Sequence, residues 1–240
     1  NVTFTGEWLT AGKTAPNRSK TIPIITGLII MLPCHGKIAC SKCFNKGGVL
    51  ANPHSEWRLR KDPGAWGSSN PRALILGFSK GSTQADIYEN GRFEDVAFGG
   101  PARNRLDTIL KAVDLIGFDT HVSKLIANPN QDNIALGSLV RCSLSRREKK
   151  SGKWRTSGSL ILKSFSEIPE ILTTCTESFL SDLPSKTRVI VLLGTTDAYI
   201  KKCYTLFKLI HPKLRWINEV SYKSGSHLFV HLTHPSRGNG

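Results

Sequence analysis

The chain has 240 residues, with 33 Lys and Arg against 18 Asp and Glu, a formal charge of +15. That excess attracts polyanions, and because each neutralised phosphate releases counterions, nucleic acid is the expected partner. The apolar run over residues 24–32 is too short to cross a bilayer and stops at Pro33, and no secretory signal is visible, which argues against a membrane partner and for the cytoplasm or nucleoid.

In chain order, residues 1–70 are rich in Gly, Pro, Asn and Lys and read as an irregular N-terminal extension. Residues 71–240 read as the main domain. Ala73-Leu74-Ile75-Leu76 is a short apolar run that enters a turn bracketed by Gly77 and Gly81, the pattern of a buried strand ending at a ligand. Residues 102–116 carry Leu106, Ile109, Leu110 and Val113 at helical spacing. Residues 133–140 read as a second strand. Residues 164–183 read as a helix that starts near Ser166 and Glu167 and tolerates Pro169 in its first turn. Residues 189–194 read as a third strand, 195–209 as a helix, 216–222 as an edge strand and 227–232 as the last core strand. Alternation of this kind predicts an α/β fold: three α/β/α layers with a central, mainly parallel four-stranded sheet.

In such sheets ligands bind beyond the carboxyl ends of the strands, which puts Phe78, Ser79 and Lys80 at a mouth. Thr233-His234-Pro235-Ser236-Arg237-Gly238-Asn239 follows the last strand and belongs to the same end. Basic residues cluster from Arg141 to Arg155 with Trp154 among them, a composition that suits backbone tracking with base stacking and equally a solvated loop. Six cysteines in a chain of this length point to metal more than to disulfides. Cys40 and Cys43 form a C-x-x-C, Cys142 ends the second strand, and Cys175 lies in the following helix. A zinc ion held by Cys34, His35, Cys40 and Cys43 is chemically suitable as well.

Taken together, the loop at 77–81, Ala97-Phe98-Gly99-Gly100-Pro101-Ala102, Val140-Arg141-Cys142, Val191-Leu192-Leu193-Gly194 and His234-Pro235-Ser236 resemble, in that order, the motifs of the uracil-DNA glycosylase superfamily over residues 72–240. The order of the cysteines resembles its iron–sulfur branch. The resemblance implies a monomeric, monofunctional DNA glycosylase that flips a base out and cleaves its N-glycosidic bond, in repair or in defence against modified DNA. It implies His234 and Ser79 as catalytic residues, and Gly77, Phe78, Phe98 and Ser138 as base-binding residues. Lys80, Ser236, Arg237 and Asn239 would contact DNA. Cys40, Cys43, Cys142 and Cys175 would hold a structural [4Fe–4S] cluster. The chain departs from the pattern in three places. Phe78 and Ser79 stand where an Asp, Asn or Glu normally positions water, which turns attention to Asp86, Glu89, Glu94 and Asp95. Ser138 replaces the Asn that pairs with uracil, which enlarges the pocket toward a modified pyrimidine or deaminated purine beside uracil itself. An insertion over 146–159 lengthens the gap between Cys142 and Cys175. A catalytically inert DNA-binding member of the same fold is the alternative.

Overall fold

The computed structural model describes residues 30–156 and 158–236. Strands β1 (Gly36–Lys37), β2 (Leu50–Ala51), β3 (Trp57–Arg60) and β4 (Gly64–Gly67) precede the first apolar run, so part of the segment expected to be irregular is built into sheets. The run itself is β5 (Ala73–Gly77), followed by α1 (Ser82–Asn90), α2 (Pro101–Ala112) and α3 (Val122–Ala127). Next come β6 (Ile134–Ser138), β7 (Ser143–Arg147), β8 (Trp154–Arg155), α4 (Gly158–Glu167) and α5 (Pro169–Leu180). The chain closes with β9 (Val189–Leu193), α6 (Asp197–Ile210), β10 (Arg215–Asn218), β11 (Ser221–Ser224) and β12 (His227–Leu232).

The expected four-stranded, mainly parallel sheet is corrected by this topology. The main sheet is mixed and has eight strands in the order β1-β4-β6-β5-β9-β12-β11-β10, and four of its seven pairings are antiparallel. A second sheet, β2-β3-β7-β8, is antiparallel throughout. The reason lies in the edges. β5, β6, β9 and β12 run parallel to one another in the interior, and the first three of them are continuous apolar runs visible in the sequence. The antiparallel flanks are Gly64-Ala65-Trp66-Gly67 on one side and an exposed Arg215–Asn218 on the other, neither of which carries such a run.

Alternate residues of β5 build two cores. Leu74 and Leu76 face Ile168, Leu172, Cys203 and Phe207 from the α4–α5 junction, α5 and α6, while Ala73 and Ile75 face Leu106, Leu110, Val122 and Ile126 from α2 and α3. The single helix expected over 164–183 is two helices. Ile168 (φ −143°) breaks them, because the residue before a proline is pushed out of the helical region and Pro169 has no N–H to continue the ladder. Among the described residues no helix is long and apolar enough to cross a membrane.

β12 also buries His231. Its Nδ1 lies 2.8 Å from the Gly194 carbonyl and therefore donates, which leaves Nε2 to accept from the Tyr222 hydroxyl at 3.1 Å. Burial pushes its pKa down to about 4. The unfolded chain, with an ordinary imidazole near 6.5, then binds the extra proton first as pH falls, so stability drops between about pH 6.5 and pH 4. We expect His231 to account for about 2 kcal/mol of lost stability between pH 7 and pH 5. Urea unfolding at the two pH values should show this gap, and His231→Gln should narrow it.

Candidate functional site

The tips of β5 and β6 rise side by side. Their register pairs Gly77 with Ser138, and the bonding continues past the strands: Leu139 N–H donates to the Gly77 carbonyl at 3.0 Å and Val140 N–H to the Phe78 carbonyl at 2.9 Å. The chain after β12 reaches the same end. Between these tips lies a cavity of about 620 Å³, lined by Gly77, Ser79, Ser138, His234 and Ser236 and, from the loop before α2, by Phe98.

Each wall is held by the core beneath it. Phe98 sits at φ 51°, a conformation that costs a phenylalanine on the order of 1–3 kcal/mol unless its surroundings enforce it. The enforcement comes from both sides. Arg103 donates from Nε and Nη2 to the Ala97 carbonyl at 3.1 and 2.7 Å, and Gln84 donates from Nε2 to the Val96 carbonyl at 2.9 Å. The same Gln84 accepts from the Gly81 N–H at 3.0 Å, tying the first loop to the phenylalanine loop. The Phe98 ring lies against the strand tip, close enough that a Cβ added at Gly77 would stand in ordinary contact with its Cζ at 3.4 Å. On the opposite wall, Arg105 of α2 donates from Nε to the Pro235 carbonyl at 2.7 Å and fixes the loop carrying His234. Burial lowers the pKa of His234 from its ordinary value, so at neutral pH its imidazole is uncharged.

Several expected residues lie elsewhere. The Phe78 side chain turns away from the cavity into the core, its ring centroid 5.8 Å from that of Phe165 and 6.4 Å from that of Tyr199. Lys80 borders the cavity but is buried, with Nζ donating to the Arg141 carbonyl and 3.4 Å from Asp62 Oδ1, so its charge is already matched inside the protein. Trp154 is capped by the Arg58 guanidinium 4.5 Å above its ring. Arg237 and Asn239 lie outside the described residues. The candidate water-activating carboxylates are engaged elsewhere: Asp86 and Glu89 pair with Arg60, Asp95 pairs with Arg92 and Arg103, and Glu94 faces His35 Nε2 at 3.7 Å. Among the described residues, no Asp or Glu lines the cavity. Residues the sequence reading missed are Gln84, Arg103 and Arg105. Their role depends on carbonyls brought near only by folding.

Cys40, Cys43, Cys142 and Cys175 line a second, narrow cavity, together with Arg141, Phe179 and Ile171. The Arg141 N–H donates to Cys175 Sγ at 3.2 Å. Among the described residues no three His, Cys, Asp or Glu side chains are grouped to hold one metal ion. Zinc ligands at 2.3 Å converge closely, whereas the thiolates of an iron–sulfur cluster bind separate irons and stand further apart. Of the alternative zinc set, Cys34 is exposed, and His35 accepts from the Gly67 N–H at 3.3 Å and faces Glu94. The donor set of the narrow cavity, four cysteines from distant parts of the chain beside a buried cation, fits an anionic cluster.

Neither a protein-family model nor a curated protein matches this chain.

Proposed function

We propose that the chain is a monofunctional DNA glycosylase, which flips a modified or damaged base out of DNA and hydrolyses its N-glycosidic bond. The observation that carries this reading is the convergence of Ser79, Phe98, Ser138, His234 and Ser236 on one cavity at the strand tips. Phe98 supplies a face for the everted base. Ser138 meets its edge with a hydroxyl that can donate or accept, in place of an amide that would demand one pattern. Ser236 is exposed at the rim, suited to a flanking phosphate.

As the bond breaks, negative charge develops on the base and positive charge on the sugar. A neutral His234 donates an N–H to the departing base and costs no reorganisation as that charge appears. With no carboxylate in the described wall, water is held by hydroxyls such as Ser79, and bond breaking runs ahead of water attack. The cavity, at about 620 Å³, has room for a base larger than uracil, a modified pyrimidine or deaminated purine. The charge of +15 supports DNA as the partner of a monomer in the cytoplasm or nucleoid.

Cys40, Cys43, Cys142 and Cys175 would hold a [4Fe–4S] cluster. Such a cluster would supply a structural cross-link between the N-terminal segment, the β6–β7 connection and α5. Cys175→Ser should remove the brown colour and at least half of the bound iron; a colourless wild-type protein carrying zinc after anaerobic purification would overturn this assignment.

The decisive experiment incubates the protein with oligonucleotides carrying uracil, hypoxanthine or modified cytosines and scores abasic sites. Release of one class confirms the activity and names the base. The absence of a carboxylate among the described residues of the wall favours one second reading, an inert DNA-binding member of the fold, which predicts binding and no abasic sites on any substrate.

A further inference from the structure

Arg141 is the most fully buried charged residue near either cavity, with 2 % of its surface exposed. Its Nε and Nη1 are shielded from solvent and have no hydrogen-bond partner among the described residues. Among the described residues no carboxylate pairs with it either. Lys80, the other buried cation here, is matched by Asp62, whereas the Arg141 guanidinium lies over the Phe179 ring, 5.5 Å away. An arginine does not escape this cost by losing its proton, and a lone guanidinium in a protein interior is strongly unfavourable.

Arg141 lines the cavity of the four cysteines, and so does the Phe179 ring that its guanidinium faces. A cluster ligated by four thiolates carries net negative charge, so it is the missing partner in both sign and place. The fold also makes room for the cation. A Cβ at Gly137 would stand 1.9 Å from Arg141 Nη1, so a side chain at that position of β6 would displace the guanidinium from where it lies. Gly137 is at the same time part of the wall of the base cavity. The guanidinium thus lies between the two cavities.

We propose that Arg141 is the protein's own counter-charge for the iron–sulfur cluster, holding it in the fold and setting its reduction potential; this rests on the cluster assignment made above. A fixed cation beside the cluster favours its more negatively charged, reduced state and so raises the potential.

The test compares wild type, Arg141→Met, Arg141→Lys and Gly137→Ala by iron and sulfide content, by the rate of iron loss in air, and by midpoint potential on an electrode. Arg141→Met keeps the bulk and removes the charge. Its midpoint should move negative by about 59 mV or more, a tenfold change for a one-electron couple, and its iron should leave about tenfold faster. Arg141→Lys, which keeps the charge, should stay within threefold of wild type on both readouts. Gly137→Ala displaces the guanidinium without deleting it and should shift both readouts in the direction of Arg141→Met. It carries the test if that variant does not fold. Coincident midpoints and iron-loss rates for wild type and the available variant overturn the proposal. Wild-type protein without iron and sulfide overturns the cluster assignment itself, a distinguishable failure.

Discussion

Replacing His234 with Ala should slow base release by about 10²–10³-fold while DNA affinity stays within about twofold, because a donor aimed at developing charge is worth that much in the transition state and little in the ground state. His234 is the titratable group of the cavity best suited to the task. It borders the cavity from the loop after β12, and burial keeps it uncharged at neutral pH. An uncharged imidazole donates one N–H without first releasing a proton. Single-turnover release on the preferred oligonucleotide separates the chemical step from product dissociation. An unchanged rate would take His234 out of the mechanism, and a wild type that binds but releases nothing would favour the inert reading. Arg105→Met offers a graded companion: it keeps His234 but removes the hydrogen bond to Pro235 O, and should cost less than His234→Ala.

The second large effect is on stability. Asp62 is 3 % exposed and does three things at once: it accepts from the Ser143 N–H at 2.6 Å, accepts from the Ser143 hydroxyl, and faces the Lys80 ammonium at 3.4 Å. Asp62→Ala leaves a buried lysine uncompensated and should cost about 3–5 kcal/mol. Urea unfolding followed by tryptophan fluorescence measures it. Adding Lys80→Met to that variant should recover much of the loss, since the stranded charge disappears with it. A double variant no more stable than Asp62→Ala would mean that the ion pair contributes little beside the two bonds to Ser143.

How much of this was legible beforehand depended on where the signal lay. The interior strand tips could be read because β5, β6 and β9 are apolar runs that stop at Gly77, Ser138 and Gly194. The second sheet was hidden although Trp57-Arg58-Leu59-Arg60 alternates with period two, Trp57 and Leu59 buried and the arginines less so, because its surroundings are rich in Gly, Pro and Asn. Phe78 could have been placed correctly by the same alternation. It continues the face of Leu74 and Leu76, which points into the helical core, while Gly77 and Ser79 take the other face and reach the cavity. Lys80 could not be placed in advance. Its burial depends on Asp62, whose position beside it is created by folding alone.

Helix α2 begins at the loop that strains Phe98 and, one turn on, grips the carbonyl of Pro235. In the proposed glycosylase, the stacking wall and the leaving-group wall would therefore hang from a single crossbar, whereas Ser138 stands on a separate strand. Selectivity for the base could then drift at that serine over evolutionary time while the parts proposed to break the bond keep their alignment.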